Sequence, residues 1–201
     1  CDWSSDVCSS DLFDYSLDSN NFFPANSPQR ATFEAALNDI AANLQDTLLE
    51  IVPHKDNPAD SWSATVTNPS TGGTQSYADL ILGENEIIVF AGARQLGTTQ
   101  LGEGGFGGAS ASGTQSFVNL VLGRGQSGAL GPNASQTDFA VTVGSMAFDV
   151  DANWYFGQNA SGIVAGQADF YSVAAHEFAH LLGFGTAESD RKSTRLNSSH
   201  T

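Results

Sequence analysis

The chain has 201 residues and carries 22 acidic against seven basic side chains, a formal net charge of −15. Such a surface repels nucleic acid and anionic membrane, so neither is expected as a partner. No apolar run is long enough to span a bilayer, and the length suffices for one sizeable core.

The two ends stand apart from the rest. One DNA sequence that encodes Asp190 to His200 has a reverse complement that encodes Asp2 to Asp11. Residues 1–12 and 190–201 therefore read as a sequencing-library adapter translated on opposite strands, and they are left out of the fold argument. Residues 13–189 read as part of one domain. Cys1 and Cys8 both fall in the leading segment, so residues 13–189 offer no disulfide framework and no thiolate for a metal. Four basic residues remain there (Arg30, Lys55, Arg94 and Arg124), and Gly, Ser, Thr and Asn are frequent. That composition suits a secreted bacterial protein.

In chain order, Phe13 to Phe23 reads as a first strand and turn. Pro28 then opens a helix, with Ser27 in the capping position. Phe33, Ala36, Leu37, Ile40, Leu44, Leu48 and Ile51 keep helical spacing, which predicts one long amphipathic helix ending near Pro53 and packed on a sheet. Its carboxylates, Glu34, Asp39, Asp46 and Glu50, form a solvated face. His54 follows in a polar loop and reads as a surface residue rather than a metal ligand. Trp62 to Thr67 alternates as a half-buried strand, ended by Asn68-Pro69 and Gly72-Gly73. Glu86 to Ala91 is apolar on consecutive residues, as a central strand buried on both faces would be.

Gly97 to Gly113 reads as a glycine-rich surface loop, structural or metal-holding. It lacks the Gly-Lys-Ser/Thr ending of a phosphate loop, which excludes nucleotide binding by that motif. A short echo relates Gly73–Gly83 to Gly113–Gly123, and no function attaches to it. Phe139 to Val143 and Ser145 to Asp149 read as two short strands separated by a break at Gly144. Asp149 and Asp151 then place hard oxygen ligands two residues apart. A calcium loop and an ordinary acidic turn both fit that spacing.

The most specific stretch is Val173 to Gly185. His176, Glu177 and His180 form the pattern H-E-x-x-H. On a helix, residues four apart share a face, so the two imidazoles can converge on one zinc ion. Glu177 is then within reach of water on that ion, as a general base. Phe170, Ala174, Phe178 and Leu181 would bury the other side. Asp169 stands where a cap would be, and Gly183 where a left-handed residue ends a helix.

These residues resemble the active-site helix of the metzincin zinc proteases, especially their matrixin and leishmanolysin-like branches. Phe148-Asp-Val-Asp-Ala-Asn-Trp154 is similar to the calcium-binding stretch that precedes that helix in matrixins. The resemblance spans roughly residues 86–186. It implies an α+β fold: a twisted, mostly parallel sheet with an antiparallel edge strand beside the substrate cleft, and two helices. This would be the zincin-like N-terminal subdomain. It also implies a secreted zinc endopeptidase acting on protein or peptide substrates, with His176 and His180 as zinc ligands, Glu177 as catalytic base, and Asp149 and Asp151 on calcium.

The matrixin pattern departs at Thr186, which stands where the third zinc-binding His belongs. Ala147 stands where matrixins place a ligand for their second zinc. Met146 lies before the helix and cannot supply the methionine turn of the second subdomain. A third ligand later in the chain, as in leishmanolysin-like enzymes, would complete an enzyme. The alternative is a non-catalytic, calcium-stabilised extracellular binding protein with a degenerate protease fold.

Overall fold

The computed structural model describes residues 13–97, 99–130 and 136–185. Both adapter-like ends and Thr186 lie outside them. The elements in order are β1 (Phe13–Asp14), α1 (Pro28–Ala41), β2 (Ser61–Thr67), β3 (Thr74–Ala78), β4 (Ile88–Arg94), β5 (Gly102–Phe106), β6 (Gly108–Ser112), α2 (Gln115–Gly123), β7 (Val143–Asp149), β8 (Trp154–Tyr155), β9 (Ala168–Asp169) and α3 (Phe170–Leu181). The fold is mixed α+β.

The main sheet has the order β1-β4-β7-β5. β1, β4 and β7 run parallel, and β5 lies antiparallel against β7 at the edge. β4 is central, and its side chains alternate between two cores. Val89, Ala91 and Ala93 join Phe33, Leu37, Met146, Phe148, Phe170, Phe178 and Leu181 on the face covered by α1 and α3. Phe90 joins Trp62, Val66, Phe117, Val121 and Val143 on the other face. That second core belongs to α2 and to a smaller antiparallel sheet, β3-β2-β6. The consecutive apolar residues of β4 therefore serve two layers. No helix among the described residues is long and apolar enough to cross a membrane.

The long amphipathic helix is not formed. Ser27 accepts from the Arg30 N–H at 3.2 Å and Pro28 sits in the first turn, as the sequence predicts. The helix stops at Ala41, and Asn43 donates its amide to the Asp39 carbonyl at 2.8 Å. Beyond it, the backbone finds partners outside the helix. The Leu48 N–H donates to Asn85 Oδ1 at 2.9 Å, Ile51 exchanges hydrogen bonds with Leu82, and the Leu49 N–H donates to the Arg124 carbonyl. Of the positions with helical spacing, Leu44 is 43% exposed, Leu48 packs beside the main core and Ile51 is buried in the second core, so they do not share one helix face. Arg124 is the reason the chain is drawn aside. Its fully buried side chain donates to the carbonyls of Leu49, Glu86, Val141 and Gly83.

Three further expectations change. The glycine-rich loop is mostly strand, β5 and β6, because its glycines let two layers approach closely. Gly144 does not break a strand. It lies inside β7, opposite Val89 and Phe106, where a Cβ would meet Leu181 Cγ at 2.4 Å. Phe139 to Val141 form no strand before it. The echoed sequences also adopt different structures: Thr74–Ala78 pairs as a strand with β2, and Gln115–Gly123 is α2. The second copy is set apart by Asp60, whose carboxylate accepts from both the N–H and the hydroxyl of Thr114, the residue that caps α2.

Candidate metal centre

The burial stripe of α3 fixes the direction of the motif. Phe170, Ala174, Glu177, Phe178 and Leu181 are buried, and the first, second, fourth and fifth of these pack into the main core. Each large apolar side chain so buried contributes about 1.5–3 kcal/mol. His176 and His180 fall on the remaining, open face. Their Nε2 atoms stand 3.1 Å apart, with the rings nearly perpendicular. Two nitrogens each about 2.0–2.1 Å from a tetrahedral zinc are separated by about 3.3 Å. The imidazole pair therefore fits the ion.

His180 is oriented from behind. Its Nδ1 lies 3.0 Å from the Phe184 carbonyl, and a carbonyl can only accept, so Nδ1 carries the proton and Nε2 presents its lone pair. Gly183 makes this contact available. Its φ of 95° ends the helix in the left-handed region, as expected, and returns the chain toward the histidine. Asp169 occupies the N-cap position without capping the backbone; it accepts instead from the Ser172 hydroxyl.

Glu177 is 8% exposed. Burial raises its pKa, while His176, His180 and the Gly104 N–H pull the other way by favouring the carboxylate. The result is a carboxylate more basic than usual, held beside two imidazoles. A poised proton acceptor has these properties.

Among the described residues, no group of three or more His, Cys, Asp or Glu side chains is arranged to hold a metal. The described residues thus bring together two imidazoles and a base. Thr186, at the matrixin third-ligand position, lies outside them. His54 is in the exposed loop, with Nε2 3.3 Å from Asp79 Oδ2 and Nδ1 2.9 Å from the Pro58 carbonyl. Those contacts account for it without a metal.

The Asp149 and Asp151 carboxylates are engaged by protein donors. Asp149 Oδ1 accepts from the N–H groups of Leu96 and Asp151, and Asp151 Oδ2 accepts from the Gln95 side chain at 2.7 Å. The Trp154 indole donates to the Asp149 carbonyl at 2.8 Å. This is a well-bonded turn that ties β7 to the loop after β4.

Sequence reasoning overlooked β5. The glycines at 102 and 104 are required by α3, because a Cβ on Gly104 would lie 2.4 Å from the Glu177 carbonyl oxygen. The signal was present as a run of glycines, but its cause is a helix far along the chain, which begins at Phe170. Gly104→Ala is expected to destabilise the fold by about 1–3 kcal/mol, since main chain must move. A urea midpoint equal to that of the parent would show that the helix can shift without cost.

A family model described as SPBPB7E8-like matches residues 129–199, less than half of the chain. Its span includes β7, the Asp149–Asp151 turn and α3, and the description carries no activity. No curated protein and no solved structure matches the chain.

Proposed function

We propose that this chain carries the catalytic helix of a secreted zinc endopeptidase of the metzincin type. The observation that carries this reading is the convergence of His176 Nε2 and His180 Nε2 beside the buried Glu177. The sheet supports it: only β5 is antiparallel, it forms the edge, and α3 lies against it, in agreement with the N-terminal subdomain of that family.

His176 and His180 would hold the ion through Nε2, with a further ligand from outside the described residues. Zinc, when bound, supplies Lewis acidity, which acidifies water and polarises a peptide carbonyl. Glu177 receives a proton on a carboxylate oxygen and returns it to the leaving amine nitrogen. Its burial strengthens its hold on that proton. No strand among the described residues pairs with the outer edge of β5, which can take an extended peptide as an added strand. Asp149 and Asp151 stabilise the neighbouring loop through the hydrogen bonds they accept from Leu96, Asp151 and Gln95.

The test is metal analysis and casein cleavage on the open reading frame that contains residues 13–189, without the adapter-like ends. One zinc per chain and cleavage abolished by a chelator are expected. A folded protein with neither zinc nor cleavage would overturn the reading and favour a non-catalytic binding protein.

A further inference from the structure

The glycines of the edge strand make room for different things. A methyl group at Gly104 would meet the Glu177 carbonyl oxygen at 2.4 Å, and one at Gly107, just past the strand, the Thr65 carbonyl oxygen at 2.5 Å. Both obstacles are main chain. At Gly105 a methyl group would meet nothing within 4 Å. Gly102 is the exception. There a methyl group would meet Glu177 Cγ at 2.8 Å, Val173 Cγ1 at 2.9 Å and Glu177 Oε1 at 3.1 Å, all of them side-chain atoms. Gly102 is itself buried, and it sits opposite Phe148 in β7, so the strand is pinned at this point. The Glu177 side chain lies in the space that a side chain at position 102 would otherwise occupy.

We propose that Gly102 is a positioning residue for the Glu177 carboxylate: its bare Cα sets how deeply that carboxylate rests between the edge strand and the two imidazoles. The inference deepens the endopeptidase reading and rests on it for its consequence in catalysis. A glutamate side chain has three rotatable bonds, and a proton acceptor must be held close to one geometry to be effective. α3 fixes the Glu177 Cα, and the histidines bound the open side. The wall toward the edge strand is formed by the Gly102 backbone, beside the Gly104 N–H that donates to the carboxylate. A larger residue there would rotate the carboxylate away without touching the metal ligands.

The test uses Gly102→Ala in the same open reading frame. kcat should fall about 100-fold, the scale of a misplacement of roughly 1 Å, with KM and zinc content unchanged. A second reading needs no activity: Gly102→Ala should lower Tm in the parent and lower it by less in a Glu177→Ala background, where Cγ and the carboxylate are gone and only Val173 Cγ1 stays close. Val173→Ala is the control. Unchanged kcat, or a Tm loss relieved by Val173→Ala and not by Glu177→Ala, would overturn the proposal. If the parent cleaves nothing, the endopeptidase reading falls, and the Tm comparison alone decides whether Gly102 sets the Glu177 side chain.

Discussion

Glu177→Gln is expected to retain zinc and lose turnover. The amide has the shape of the carboxylate and can still accept a hydrogen bond from the Gly104 N–H. It cannot take up a proton at neutral pH, so general-base assistance is removed, a loss of about 10²–10⁴-fold in kcat. The metal ligands should be little affected. His176 Nε2 and His180 Nε2 are set 3.1 Å apart by helical spacing and by the Phe184 carbonyl, and neither depends on residue 177. Steady-state cleavage of a peptide substrate, with zinc content measured on the same sample, checks both halves. Parent-like turnover would remove Glu177 from the chemistry. Lost zinc would assign it to the metal instead.

Arg124→Met is expected to lower stability by more than about 3 kcal/mol, the scale of a broken buried polar network. Arg124 is fully buried, and among the described residues no carboxylate forms an ion pair with its guanidinium, although the charge of Glu86 favours its ionised form. It is neutralised by dipoles: the carbonyls of Leu49, Gly83, Glu86 and Val141 surround it. Burial lowers its pKa to about 10, which leaves it charged at neutral pH. Methionine fills much of the volume and satisfies none of those oxygens. The segment that replaces the expected second half of α1, the loop before β4 and the approach to β7 would all lose their common anchor. Arg124→Lys should recover only part of the loss, because an ammonium lacks the planar fork that reaches several acceptors. Urea unfolding measures both variants. A Met variant within about 1 kcal/mol of the parent would show that the carbonyls are satisfied without the arginine.

Several features were legible in the sequence because they depend on neighbours a few residues away. Ser27 and Pro28 start a helix through capping and a fixed φ. Trp62 to Thr67 alternates because one face is buried. His176 and His180 share a face because α-helical geometry puts them there, and Gly183 ends that helix because glycine tolerates positive φ. The consecutive apolar residues of β4 announced a strand between two layers.

What the tertiary structure decided involves partners far away in the chain. Leu44, Leu48 and Ile51 keep helical spacing, but the backbone of Leu48, Leu49 and Ile51 finds partners in Asn85, Arg124 and Leu82 instead of in a further turn. The echoed segments Gly73–Gly83 and Gly113–Gly123 share a pattern and diverge because one lies along β2 and the other begins where Asp60 caps Thr114. Gly144 reads as a break, yet it serves as the gap that admits Leu181. The glycines at 102 and 104 read as a loop until α3 is laid on them. A sequence states local periodicity directly. It states close approach between distant elements only through missing side chains, and a missing side chain does not say which neighbour needs the room.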